Sequence, residues 1–239
     1  MNRTIQDSID WFNQRMPDGG PVYTETDPSH LIVEPWNAVS SLLVMIPSLY
    51  FLMKVWCERE KFKFFIYSIV LVMLGSIGST VFHGFRSSLA FLLMDILPIA
   101  ILTISLSVYF WLKILSKWWY VILILLPILL SRLLFFNVLP NHIAINVSYG
   151  ITGFMVLLPL FILIFKTKKF GLKKVILALL FFAIALFFRQ VDPGSGAYLE
   201  IGTHFLWHVF SAFGTLYILI YLYNFRKKEL EENQFRKAS

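Results

Sequence analysis

Seven apolar runs crowd into 239 residues: 36–56, 64–84, 89–111, 118–136, 143–165, 172–189 and 203–224. A helix that crosses a bilayer needs about 20 mainly apolar residues. Seven such helices use most of this chain and leave only short loops, so no second soluble domain fits. Composition agrees, with 58% hydrophobic and 15% charged residues, against roughly 25% charged in a soluble domain. The reading is an all-α integral membrane protein, a seven-transmembrane helix bundle. Residues 1–35 form an acidic outer N-terminal segment, 36–224 the seven-helix domain and 225–239 a charged inner tail. Prolines 47, 98, 127 and 159 fall inside runs, where membrane helices tolerate them.

The net charge of +7 is a topology signal. Taking the N-terminus as outer, the inner segments hold Lys54, Arg59, Lys61 and Lys63; Lys113 and Lys117; Lys166, Lys168, Lys169, Lys173 and Lys174; and Arg226, Lys227, Lys228, Arg236 and Lys237. The outer segments hold Arg3, Arg15, Arg86 and Arg189. The excess of inner basic residues gives an N-out, C-in orientation. No element reads as a nucleic-acid contact. The start of the chain lacks a basic-then-apolar leader pattern. The single cysteine, Cys57, excludes a disulfide framework and a cysteine metal site.

Within the runs, the costly polar groups are Ser79, His83, Asp95, Arg132, His204 and His208. Ionisable groups in a membrane are expensive and default to functional hypotheses. The topology puts His83, Asp95, His204 and His208 in the same outer leaflet, although three separate segments supply them. Ser79 with His83, and His204 with His208, are each i, i+4 pairs sharing one helix face. Two imidazoles at that spacing suit one metal ion, as in H-E-x-x-H helices. A third histidine completes a set with an open fourth position, the pattern of catalytic zinc. Zinc would bring the pKa of a water ligand to about 7. Asp95 would move the proton, and Ser79 would hydrogen-bond the water, a ligand or a developing oxyanion. Plainer readings stay open: paired histidines that bond their neighbours, an interfacial His83, and Asp95 paired with Arg132. His30 and His142 read as surface residues of outer loops.

The segments "SIGSTVFHG", "LLMDILP" and "HFLWHVFSAFG", together with "IDWFN" and "VEPWNAVSSLL", resemble the alkaline ceramidase family. That family belongs to a superfamily of seven-span metal hydrolases that includes adiponectin-receptor-like proteins and a GPI-anchor lipid-remodelling group. The resemblance implies zinc on His83, His204 and His208, with Ser79 and Asp95 assisting hydrolysis of the ceramide amide. It also implies calcium at Asp10, Trp11 (through its carbonyl), Asn13 and Glu34. The animal enzymes carry an acid where Asn13 stands, and a family asparagine falls at Arg15. Asp18, Glu25 or Asp27 of the same acidic segment could stand in as calcium ligands, or the segment reads as a solvated outer loop. Asp192 has an acidic family counterpart, and "DPG" there also reads as a turn. Glu200, one turn before His204, is placed as a hydrogen-bond acceptor for its imidazole.

The expected function is a zinc-dependent lipid amidase releasing a sphingoid base and a fatty acid, with its site toward the non-cytoplasmic leaflet. A bacterial inner membrane or an endomembrane suits such a chain, and its partner is a membrane lipid. The alternatives are an ester-cleaving hydrolase of the same superfamily and a seven-helix sensor with structural zinc.

Overall fold

The computed structural model describes residues 16–139 and 141–238. Every regular element among them is helical, with no strand. Five helical stretches are long and apolar enough to cross a membrane: Pro35–Phe85, Leu89–Ile114, Ile143–Lys166, Leu172–Ser195 and His204–Lys237. Trp119–Phe135 is a shorter apolar helix.

The first of these stretches folds back on itself. Helix α1 (Pro35–Ser41) passes through a 3-10 turn at Leu42–Val44 into α2 (Met45–Val55). A second 3-10 turn, Trp56–Phe62, breaks helical geometry at Glu58 (φ −112°, ψ 22°) and leads into α3 (Lys63–Phe85). The legs run antiparallel. The Glu34 N–H donates to the His83 carbonyl (3.1 Å), Ser76 Oγ donates to the Ser41 carbonyl (2.7 Å), and Phe51 meets Phe65 edge-on at 5.5 Å.

Two compact units are present. The first comprises residues 16–99 and 171–238. It holds α1 to α3, the start of α4 (Leu89–Ile114), α7 (Leu172–Ser195) and α8 (His204–Ala238). Rings join α7 to α8: Phe181 stacks on Phe213 (5.2 Å) and Tyr217 (5.7 Å), and Phe188 stacks on Phe210 (5.4 Å). Such contacts add to the apolar burial. The second unit comprises residues 100–139 and 141–170, with the rest of α4, α5 (Trp119–Val138) and α6 (Asn141–Lys166). Its core is Trp111, Val121, Leu125 and Met155, and Ser107 Oγ donates to the Met155 carbonyl (2.6 Å). Leu123, Leu126, Leu130, Leu133 and Leu134 of α5 are all exposed. So large an apolar surface is foreign to water and ordinary against lipid chains.

Pro98, Pro127 and Pro159 lie inside helices, as expected. Two boundaries differ from the sequence reading. Asp192, Pro193 and Gly194 form the last turn of α7 and not a loop. Asp192 and Ser195 are buried there, and Ser195 Oγ donates to the Asp192 carbonyl (2.7 Å). The charged tail continues α8 as helix through residue 238, with spaced ion pairs such as Arg226–Glu229 (3.1 Å). Surface pairs of this kind contribute little.

Candidate metal centre

Three histidines meet in the first unit. His83 comes from the last turn of α3, and His204 and His208 from the first two turns of α8. One ring nitrogen from each lies within 4.8 Å of the others, and all three rings are buried.

Each imidazole is held differently. His83 Nδ1 is hydrogen-bonded to Glu34 Oε2. A carboxylate only accepts, so Nδ1 carries the proton and Nε2 keeps its lone pair for a metal. Asp192 places His204 through the backbone. Its Oδ1 accepts from the N–H groups of Thr203 (2.7 Å) and His204 (2.9 Å), capping the start of α8. Its Oδ2 accepts from the Thr24 N–H (2.9 Å). The His204 ring stacks on Tyr23 at 3.9 Å, and its Nδ1 makes no hydrogen bond among the described residues. His208 has the Ser41 hydroxyl within 3.5 Å of both ring nitrogens.

Asp95 and Ser79 stand beside this cluster. Asp95 is half-buried, with Ser79 and His83 among its near neighbours. Ser41 Oγ is 3.0 Å from Ser79 Oγ and 2.8 Å from the Asn37 carbonyl. Contact at Gly78 sets the position of Asp95. A Cβ at residue 78 would lie 2.1 Å from the Met94 carbonyl oxygen and 2.8 Å from the Asp95 nitrogen, so α4 crosses α3 only where a side chain is missing. Gly78→Ala is expected to displace Asp95 and lower turnover about 100-fold. Comparing kcat and metal content of the variant and the parent checks this, with metal content expected to be unchanged.

Gly202 has a similar duty before α8. Its φ is +69°, and a Cβ there would sit 2.5 Å from Asp192 Oδ1 and 2.6 Å from Thr24 Cβ. Gly202→Ala combines left-handed strain with loss of the cap, and is expected to cost about 2–4 kcal/mol. Thermal unfolding of the two proteins in the same detergent measures it.

Several residues take other places than expected. Glu200 is exposed, in the turn before α8. The helix begins only at His204, so the four-residue spacing stacks nothing over that imidazole, and the buried acid beside it is Asp192. Glu34 is completely buried. Burial alone pushes its carboxyl up, but His83 and Arg86 hold it below the ordinary carboxylate range. Its Oε1 accepts from Thr26 Oγ1 (2.5 Å) and Arg86 Nη1, and its Oε2 from His83 and Asn37 Nδ2 (3.5 Å). The other calcium candidates, Asp10, Trp11 and Asn13, lie outside the described residues. Glu25 caps α1 by accepting from the N–H groups of Trp36 (2.5 Å) and Asn37 (2.9 Å). Asp27 stays exposed, and His30 lies 3.8 Å from it at the surface.

Tyr23, Ser41 and Arg86 were not expected at the centre, and Asp18, expected only as a stand-in calcium ligand, pairs with Arg86. Arg86 did carry a signal: it is a basic residue three positions after His83, in a segment that the sequence reading places outside, where basic residues are few.

A family model described as Ceramidase matches residues 27–238. The chain belongs to the ceramidase family. Membership supports a ceramide-hydrolysing activity in general, a hydrolase acting on an amide bond. A search of the curated proteins found no match. The ceramidase match covers α1 through α8 and the whole histidine cluster. The cluster could hold a metal ion, as ceramidases are metal-dependent.

Proposed function

We propose that this chain is a zinc-dependent intramembrane amidase that cleaves the N-acyl bond of ceramide into a sphingoid base and a fatty acid. The observation that carries this reading is the buried convergence of His83, His204 and His208 beside Asp95 and Ser79. The donor set suits zinc. It offers three imidazoles and no thiolate, with a carboxylate behind His83 fixing its tautomer. His204 Nδ1, buried and without a hydrogen bond among the described residues, is costly as a bare polar atom and useful as a ligand. When bound, zinc supplies a Lewis acid that acidifies water and polarises a carbonyl.

The chain's own groups do the rest. An Asp95 carboxylate oxygen takes a proton from the attacking water. Water oxygen bonds to the carbonyl carbon, the C–N bond breaks, and Asp95 returns the proton to the leaving nitrogen. Ser41 has one hydroxyl proton and the Asn37 carbonyl within reach. Ser79 is therefore free to donate either to Asp95 or to the carbonyl oxygen as its charge grows.

In this reading the α1–α2 leg and each of α3 to α8 cross the membrane once, N-out and C-in. The charge layout supports it. At the end of the first unit away from the histidines, Arg226 Nε donates to the Lys61 carbonyl (2.7 Å) and Lys54 stands over Tyr223 (4.8 Å). That is where inner basic residues belong. In this reading Glu34 offers calcium no free acceptor, because its four acceptor positions are already bonded.

Purified protein is expected to hold one zinc per chain and to release fatty acid from ceramide, but not from ester lipids of equal chain length. Zinc-loaded protein that cleaves only esters, or nothing, would sink the proposal.

A further inference from the structure

Arg86 closes α3 with φ 48° and ψ 29°. That left-handed backbone suits glycine and is uncommon for so large a side chain. Turned this way, the guanidinium reaches two acids from distant parts of the chain. Nε and Nη2 donate to Asp18 (2.8 and 3.2 Å), Nη1 donates to Glu34 Oε1, and Nη2 also donates to the Pro21 carbonyl (2.9 Å). Its Cζ lies 4.5 Å from the Phe82 ring centre. All three ion-pair side chains are fully buried. Glu34 in turn bonds His83 Nδ1. The result is an unbroken run of contacts from the N-terminal loop to a metal ligand: Asp18, Arg86, Glu34, His83.

We propose that Arg86 is a positioning residue of the metal centre, a built-in cation that anchors the N-terminal loop through Asp18 and presses the Glu34 carboxylate against His83. This rests on the zinc reading above. Three facts point the same way. The guanidinium fork matches two carboxylates at once, which an ammonium cannot do. A buried carboxylate pair without a cation would repel and lose solvation. Glu34 keeps no lone pair for an outside ion, so a divalent cation would first have to expel Arg86. Glu34, the one described residue of the calcium set that the family resemblance implied, is thus bound to a guanidinium that is covalently part of the chain and does not dissociate. A carboxylate partner that orients a ligating histidine tunes metal affinity; Arg86 is what holds that partner in place.

The test uses the full-length protein in detergent. Arg86→Gly removes the side chain alone, since glycine accepts the left-handed backbone. Its zinc dissociation constant, measured by chelator competition, is expected to rise about 10–100-fold. The visible absorption bands of the cobalt-substituted variant should shift, and added guanidinium should restore part of the affinity. Arg86→Lys, with charge but no fork, should fall between the two, and it carries the measurement if the glycine variant does not fold. The thermal midpoint of the wild type should be equal in calcium-free and calcium-containing buffer. The inference fails if the wild type binds zinc and both variants bind it as tightly with unchanged cobalt bands. It fails also if calcium raises the wild-type midpoint. A wild type that takes up no zinc overturns the metal reading instead, which keeps the two failures apart.

Discussion

Asp95→Asn is expected to lower kcat for ceramide hydrolysis about 10²–10⁴-fold, with one zinc still bound per chain. Asparagine has nearly the shape of aspartate, so the α3–α4 contact at Gly78 should survive. What it lacks is a basic oxygen that can take a proton from water and return it to nitrogen. KM should change little, because in the proposed mechanism the group acts on reacting atoms and not on the lipid chains. The decisive comparison is turnover against metal content in one preparation. A variant with full zinc and full kcat would remove Asp95 from the mechanism.

His208→Ala is expected to lower zinc affinity more than about 100-fold and to remove turnover at ordinary zinc levels. Losing a mere partner of a ligand already costs about 10–100-fold, and losing the ligand itself should cost more. His208 is the best of the three to remove. It lies one turn inside α8, away from the Asp192 cap that begins the helix, and its replacement leaves the Glu34–His83 bond untouched. Helix content and thermal midpoint without metal should therefore match the parent. If the His208→Ala variant retains zinc as tightly as the parent, the cluster is not the metal site.

Short-range spacing made part of this centre legible. His204 and His208 share a face because a helix repeats every 3.6 residues, and Ser79 with His83 follows the same rule. The sequence reading set the pairs at one level through the expected alternation of runs across a membrane. Apolar runs likewise marked every helical leg, with most ends off by a few residues, but α7 continues past its run through Asp192–Ser195 and α8 continues through the whole charged tail to residue 238. Contacts across long sequence separations were not legible. Thr24 reaches Asp192, Arg86 reaches Asp18, and Ser41 reaches Ser79 and His208. Each is an ordinary polar residue until the fold supplies its partner. Glu200 shows the converse: its spacing to His204 looked helical, but Gly202 turns the chain left-handed between them.

The length of α8 sets a scale for the lipid. From His204 to Arg226 the helix climbs about 33 Å at 1.5 Å per residue, close to the ~30 Å hydrocarbon thickness of a bilayer. If Arg226 marks one membrane surface, the histidines mark the other. A ceramide carries its amide at that same boundary, between a small polar head and two long chains. In the proposed reading the scissile bond then meets the histidines at the depth where the lipid already holds it. Cleavage would ask the substrate to drift sideways within its leaflet, with no need to climb out of it, and the chains would stay in oil throughout.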